Sequence, residues 1–418
     1  MSLAQDVSDP SCPTNERRRT IVIGVLGCGT VGGGVVARLL AEGHILGQPA
    51  RLAHVLVRDL SKPRFPEAVT PFLTSDPADI VDDPEVDIVV ETIGGVDVAR
   101  ELVERALANG KHVVSANKAL IATHGHKLAE LARRRHAALR YEAAVGGAVP
   151  VVRAIADAMA AEEVLEIAGV MNGTSNFIVD EMARGASFDV VVKRAQEAGY
   201  AEPDPSADVD GHDAAQKLTV LSALGFRRNL DVTCVRRLSL RRLQPDDFPF
   251  AASLGYAIVP LALARRQGDA LAAIVAPVFT HADHDFARAK GPGNVIRITG
   301  ADCGPLQFSG AGAGQRATAS AVFSDLADIV RKLARWEYQG SDLLVAEPIT
   351  AVSPDLPVIL RVLPVDAAQV SAALAAAQIV VRPLSENALF CEANELDIVA
   401  SAIERLGSAV CSWFPVFE

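Results

Sequence analysis

Residues 20–27 read TIVIGVLG, an unbroken apolar run rich in β-branched side chains, and they pass directly into GCGTVGGGVVARLLAEG. A strand without polar alternation is one covered on both faces, the pattern of a parallel sheet in an α/β protein. At the junction Gly27, Gly29 and Gly32 make G-x-G-x-x-G, followed by apolar residues at helical spacing. In a strand–turn–helix unit Gly27 permits the tight turn, Gly29 lets a pyrophosphate approach the backbone, and Gly32 lets helix and strand pack closely. Thr30 and Val31 then open the helix at whose N-terminus phosphate binds. The bare pattern is also compatible with a glycine-rich turn that binds nothing; the flanking strand and helix favour a dinucleotide site.

The alternation continues. RLAHVLV predicts a second strand ending at Val57, where an NAD enzyme places its ribose-binding acid. Here Arg58 comes first, then Asp59, with Lys62 and Arg64 close behind. Cations at this place accept a 2′-phosphate, so NADP is favoured; the alternative is that Asp59 reaches the ribose and NAD serves as well. DIVVET (87–92), a helix over 96–108, HVVSA (112–116), a helix over 118–136 and LRYEA complete the series. Ligands of open α/β sheets sit at the carboxyl ends of the strands, which sets Ile93 and Gly94 of IGG and Ser115 and Lys118 of SANK beside a nicotinamide. Lys118 at a helix start opposes the helix dipole. Either an anion or carbonyl sits nearby, or the side chain bends away into solvent.

At 418 residues the chain is long enough for two or three domains, and at 50% hydrophobic it can fill their cores. A net charge of -11 with no long Lys/Arg run argues against a nucleic-acid partner and for a small one. Residues 1–19 are polar and end in ERRR, which suits a loose, disordered tail and not a secretory signal. No 18-residue stretch is free of charge and apolar, so no membrane span is expected. Six scattered cysteines without CxxC or Cys/His spacing suit reduced thiols in a cytoplasm.

YEAAVGGAVPVV (141–152) joins a strand to a helix through a glycine pair. Bared carbonyls there could join Glu142 around a hard cation, although a turn with a capping glutamate is the simpler reading of the residues alone. VMNGTSNFI (170–178) is polar between apolar flanks, a predicted loop that either binds a polar substrate or caps the next helix. Glu202, Asp204, Asp208, Asp210 and Asp213 then fall within twelve residues, and the next cation is Lys217. Asp213 and Lys217 share a helix face, and LTVLSALGF behind them carries no charge, so the pair stands at the mouth of a core. Carboxylates so crowded raise one another's pKa unless a cation joins them; a substrate ammonium would do so, leaving Lys217 free to exchange a proton.

At these residues the sequence resembles the homoserine dehydrogenase family. Ala195, Gly199-Tyr200-Ala201, Asp204-Pro205, Asp208-Val209, Gly211, Asp213 and Lys217 match its signature at every spacing, with GVLGCGTVG, SANKALIA, YEAAVGGAVPVV and VMNGTSNFI in support. The resemblance covers residues 20 to about 335 and implies an enzyme interconverting aspartate semialdehyde and homoserine with NAD(P), on the route to threonine, methionine and isoleucine. It implies Lys217 as acid/base, Lys118 beside the same oxygen and the nicotinamide, and Glu202, Asp208 and Asp213 on the substrate's amino group, with Asp213 also positioning Lys217. Gly173 and Thr174 join the substrate site. Glu142 and the carbonyls of Val145, Gly147 and Val149 match the family's monovalent cation site, normally sodium, which reverses the simpler reading of that turn. FSGAGAGQRATASAVFSDLADIVRKL (308–333) returns to the nucleotide domain with Gly312 against the cofactor; Gln315, Arg316 and Ala317 depart from the small residues and proline usual there.

The expected architecture is α/β, with a Rossmann-type domain over 20–145 completed by 310–338 and an α+β substrate and dimerisation domain over 146–309. From about Ala351, strand, helix, strand, strand, helix, strand resembles a regulatory ACT domain (351–418), with LPVDAAQ where Asp-x-Pro-Gly is usual. A homodimer or homotetramer is expected, with threonine as a candidate allosteric ligand. Two rivals stand beside this reading: another Rossmann oxidoreductase acting on an amino-acid-derived aldehyde, and a nucleotide-binding sensor without turnover.

Overall fold

The structure, a computed structural model, describes residues 19–64, 66–334 and 347–418. All but the last residue of the expected N-terminal tail, and positions 335–338 of the expected return to the nucleotide domain, lie outside the described residues.

Strands β1 (Ile21–Leu26), β2 (Gln48–Leu56), β3 (Leu73–Thr74), β4 (Ile88–Glu91), β5 (His112–Ser115) and β6 (Leu139–Arg140) run parallel in the order 3-2-1-4-5-6. The order reverses between β1 and β4, and that crevice is where doubly wound sheets bind dinucleotides. All six residues of β1 are buried, as a strand without alternation requires. Helix α1 (Thr30–Glu42) follows at once, and its close approach depends on Gly32: a Cβ there would stand 2.1 Å from the carbonyl oxygen of Gly27. Helices α2 (Asp97–Ala108) and α3 (Lys118–Arg134) cover the sheet within two residues of their predicted ends.

The second sheet contains β7 (Val164–Val170), β8 (Tyr256–Gln267), β9 (Ala270–His281), β10 (Gly293–Gly300) and β11 (Gly304–Ala311), ordered 9-8-7-10-11. One face, with Ile167, Ala262, Val275 and Ile296, packs on helix α5 (His212–Gly225) through Leu218 and Leu221. The other face, with Val170, Leu261, Leu263 and Ile274, packs on the C-terminal unit through Leu356, Val358 and Leu389. Coverage of both faces explains why β8 reads AIVPLALA without polar alternation. The sequence predicts a loop over 170–178; instead helix α4 (Gly173–Met182) starts three residues after β7 ends, because the Asn172 side chain accepts the Ser175 N–H at 2.7 Å and caps it.

Helix α6 (Gln315–Ala334) returns to the nucleotide domain, burying Val322, Leu326 and Ile329 against Val35, Val36 and Leu39 of α1. Gln315, which departs from the family pattern, lies against Gly34, where a Cβ would meet its Cγ at 2.8 Å. The C-terminal unit is β12 (Asp355–Val362), α7 (Ala367–Ala376), β13 (Val381–Ser385), β14 (Ala388–Glu395), α8 (Leu396–Glu404) and β15 (Val410–Pro415), an antiparallel sheet ordered 13-14-12-15. Its element order is the one predicted. The five described cysteines are all free, and no described helix is long and apolar enough to cross a membrane.

Helix α6 also carries a pH-sensitive contact. Asp325 is 2% exposed; it accepts the Glu142 N–H at 2.8 Å and pairs with Arg153 at 3.2 Å. Burial, and then the neighbouring Glu142 carboxylate, push its carboxyl up to about 7. A raised carboxyl stabilises the fold while protonated, and that contribution is lost as pH rises from about 4 through 7. Buried His112, held down to about 4 by burial, works in the opposite sense but only below its unfolded value near 6.5. Between pH 6.5 and 8 the Asp325 effect is therefore isolated, and unfolding free energy should fall by roughly 1 kcal/mol. Denaturant melts of Asp325→Asn should lack that slope; a slope that persists would assign it elsewhere.

Candidate active site

Three segments distant in sequence converge at the carboxyl ends of β5 and β7. Helix α5 begins after Gly211, and its first turn carries Asp213, an acid where the helix dipole favours one. One turn later Lys217 lies on the same face, its Nζ 2.8 Å from Asp213 Oδ2; the two residues are 8% and 9% exposed. Lys217 Nζ also donates to the Met171 carbonyl at 2.7 Å, just beyond β7. From the nucleotide domain, Lys118 at the start of α3 sets its Nζ 2.9 Å from Asp213 Oδ1. The lysine that opposes its helix dipole therefore neither bends away nor faces solvent alone. One carboxylate bridges two ammonium groups contributed by two domains.

Asn172, which the sequence offers only as a cap, completes the arrangement. Its Nδ2 donates to Asp208 Oδ1 at 2.7 Å and to Asp213 Oδ2 at 2.8 Å, while its oxygen caps α4. Burial raises the Asp208 carboxyl, the Asn172 hydrogen bond pulls it back, and the Asp213 charge raises it further. For Asp213 burial also acts upward, but the Lys217 and Lys118 charges outweigh it and hold the carboxyl far below the usual range. Asp213 in turn raises the Lys118 ammonium against burial, with smaller help from Asp208 and Glu202.

The acidic run divides. Glu202 is exposed at the rim; Asp208 and Asp213 face inward. Asp204 accepts the N–H and hydroxyl of Ser206 in a local turn, and Asp210 pairs with Arg241 at 3.1 Å and accepts the Ser239 hydroxyl. Gly173 packs against the Pro292 backbone, and the Thr174 hydroxyl donates to the Tyr200 carbonyl at 2.7 Å.

On the nucleotide side, helix α1 begins at Gly29 without any side-chain cap, and space is open around that glycine. Uncapped N–H groups at an open helix end suit a pyrophosphate. Thr30 is exposed and Val31 half-buried in the first turn, beside Gly27. Beyond β4 and β5, buried Glu91 accepts the Ile93 N–H at 2.8 Å and the Ser115 hydroxyl at 2.6 Å, and Gly94 lies within 3.4 Å. Asn117 caps α3 and donates to Gly95 at 2.6 Å. Neither Glu91 nor Asn117 stands out in sequence; an acid inside an apolar strand was the available signal. At the end of β2, Asp59 is held by the Ser61 N–H and hydroxyl, while Arg58 is exposed.

Near α6, Glu142 accepts the Val152 and Arg153 N–H groups at 2.9 Å, one on each oxygen. The Val149 carbonyl accepts the Val151 N–H, and Gly147 packs against Gly312, with Ala148 N–H donating to Ala311 at 3.0 Å. Among the described residues no group of three His, Cys, Asp or Glu side chains could hold a metal.

The profile for homoserine dehydrogenase matches residues 150–327, and that for the homoserine dehydrogenase NAD-binding domain matches residues 27–142. The homoserine dehydrogenase of Pseudomonas aeruginosa is 38% identical over 84% of this chain and 80% of its own. The chain belongs to the homoserine dehydrogenase family. The Synechocystis homoserine dehydrogenase is 41% identical over 74% of this chain and 73% of its own. A crystal structure of a homoserine dehydrogenase from Thiobacillus denitrificans superposes with a TM-score of 0.88 at 34% identity, covering 96% of this chain and 99% of that one. A hyperthermophilic archaeal homoserine dehydrogenase solved with NADPH shares the fold at a TM-score of 0.65. As a homoserine dehydrogenase, this chain is an oxidoreductase that interconverts L-aspartate 4-semialdehyde and L-homoserine with a nicotinamide cofactor. The rivals of another substrate or of a sensor without turnover fall away.

Proposed function

We propose that Lys217 is the acid/base of this homoserine dehydrogenase and that Asp213 holds it in place. The carrying observation is the bridged pair of ammonium groups at Asp213. An ammonium has three donors, and Lys217 directs them to Asp213 and Met171 with one left for a substrate oxygen. The nicotinamide, when bound, supplies or accepts the hydride at the reacting carbon. In the reducing direction Lys217 gives its proton to the forming alkoxide, and Lys118 adds a second positive charge beside that oxygen. Because Asp213 is already shared by Lys118, Lys217 and Asn172, Asp208 and Glu202 carry the substrate ammonium. The raised Asp208 carboxyl is relieved by such a cation. Gly173 and Thr174 border this position. Fixed orientation of the aldehyde between these charges supplies much of the rate.

The cofactor reading extends to NADP. Asp59 is spent on Ser61, which leaves exposed Arg58 at the strand end for a 2′-phosphate. Loss of one charge-assisted contact of this kind costs about 2 kcal/mol. Arg58→Ala should therefore raise KM for NADP by about thirtyfold and leave KM for NAD within about twofold, measured by homoserine oxidation with each cofactor; equal changes for both would refute it.

Glu142 with the carbonyls of Val145, Gly147 and Val149 is proposed to hold a monovalent cation, probed by thermal stability in sodium against choline chloride. Each Glu142 oxygen keeps a lone pair beyond its backbone N–H partner, and carbonyl oxygens suit a hard ion. The βαββαβ unit over 355–415 is read as an ACT-like domain in a cytoplasmic homo-oligomer, with threonine as its candidate ligand. Steady-state oxidation of homoserine with NAD and NADP, each with and without threonine, tests cofactor choice and regulation together.

A further inference from the structure

Met171 lies past the last strand residue of β7, and its carbonyl is the anchor for Lys217. A second donor reaches the same oxygen: Asn294 Nδ2 at 3.1 Å, from β10. Asn294 is 1% exposed, and its Oδ1 is buried without a partner. A buried amide left half unsatisfied is a poor choice for packing alone, since an apolar side chain of the same shape would carry no such penalty. The amide is also clamped. A Cβ on Gly312 would stand 2.3 Å from both Asn294 Cγ and Oδ1, so the absence of a side chain at 312 is what admits it. Reversing the amide would set Oδ1 against the Met171 oxygen, two acceptors face to face.

We propose that Asn294 is a positioning residue for the Lys217 ammonium, acting through the Met171 carbonyl. With two donors on its two lone pairs, that carbonyl is fixed in direction, and Lys217 in turn keeps its remaining N–H aimed at the reacting oxygen. The path Gly312, Asn294, Met171, Lys217 ties the return segment of the nucleotide domain to the proton-transfer group. The inference rests on Lys217 as the acid/base.

Asn294→Leu keeps the bulk and removes both polar ends. Its kcat for homoserine oxidation should fall about thirtyfold, its KM for the cofactor should stay within about twofold, and its Tm should equal or exceed that of the parent because the unpaired acceptor is gone. A purely structural residue would lose Tm and kcat together, and that result, or a kcat within about threefold of the parent, overturns the proposal. Should Asn294→Leu fail to fold, Asn294→Ala carries the same kinetic test. Combined with Lys217→Ala, either variant should cost nothing further, because the group it aims is absent. An additive loss refutes the positioning role. Near-parental activity of Lys217→Ala alone refutes the reading of Lys217 instead, so the two failures are distinguishable.

Discussion

Lys217→Ala should lower kcat for homoserine oxidation by about a thousandfold, within the range that loss of a positioned acid/base produces, while fluorescence titration shows NADPH binding unchanged. The side chain is 9% exposed, and its two fixed partners are Asp213 and the Met171 carbonyl. Water cannot readily take a place enclosed this way, so little of the lost proton transfer is recovered from solvent. Lys217→Arg separates charge from proton. A guanidinium still satisfies Asp213 but stays protonated at any working pH, so the variant should keep its fold and lose most of its rate. Activity near parental in Lys217→Ala would remove Lys217 from the chemistry and leave Lys118, the other ammonium on Asp213, as the candidate.

What could be read from sequence was what is local. The strand 21–26, the G-x-G-x-x-G turn and helix α1 are contiguous, and the physics that specifies them acts over a few residues. The Asp213–Lys217 pair was legible for the same reason, being one helical turn apart. Lys118 could be seen to be misplaced at its helix start, but its partner lies in another domain and no local pattern names it. The acidic run looked like one cluster, whereas Asp204 and Asp210 satisfy themselves with Ser206, Ser239 and Arg241, the last two from beyond helix α5. Asn172 and Asn294 were the hardest to find. A buried amide is defined by what surrounds it, and their surroundings come from α5, from β7 and from the segment before α6. The same limit explains the predicted loop over 170–178, where a single capping asparagine turned polar residues into the first turn of α4.

Asp213→Asn is the second large effect, and it acts on fold and chemistry at once. The amide has the shape of the carboxylate but not its charge, so Lys118 and Lys217 would face one neutral group across which their charges repel. Removing one member of a buried ionic set costs about 3–5 kcal/mol, and denaturant melts at pH 7 should register a loss of that order. The sign with pH follows from the depressed Asp213 carboxyl: its stabilisation is fully present above the unfolded value near 3.8 and is lost as pH falls through the folded one. The gap between parent and variant should therefore hold from pH 8 to 5 and narrow only in strong acid. Lys118 should respond too, because the Asp213 charge is the main reason its ammonium is raised. In the variant, repulsion and burial both favour losing a proton, so the basic limb of the pH–rate profile should move to lower pH, with kcat down at least about a hundredfold. KM for homoserine should rise less than in Asp208→Asn, because Asp208 is the inward carboxylate without a lysine partner. An unmoved basic limb with unchanged stability would mean that the two lysines do not depend on Asp213, and a larger KM effect at 213 than at 208 would place the substrate ammonium on the bridging carboxylate itself.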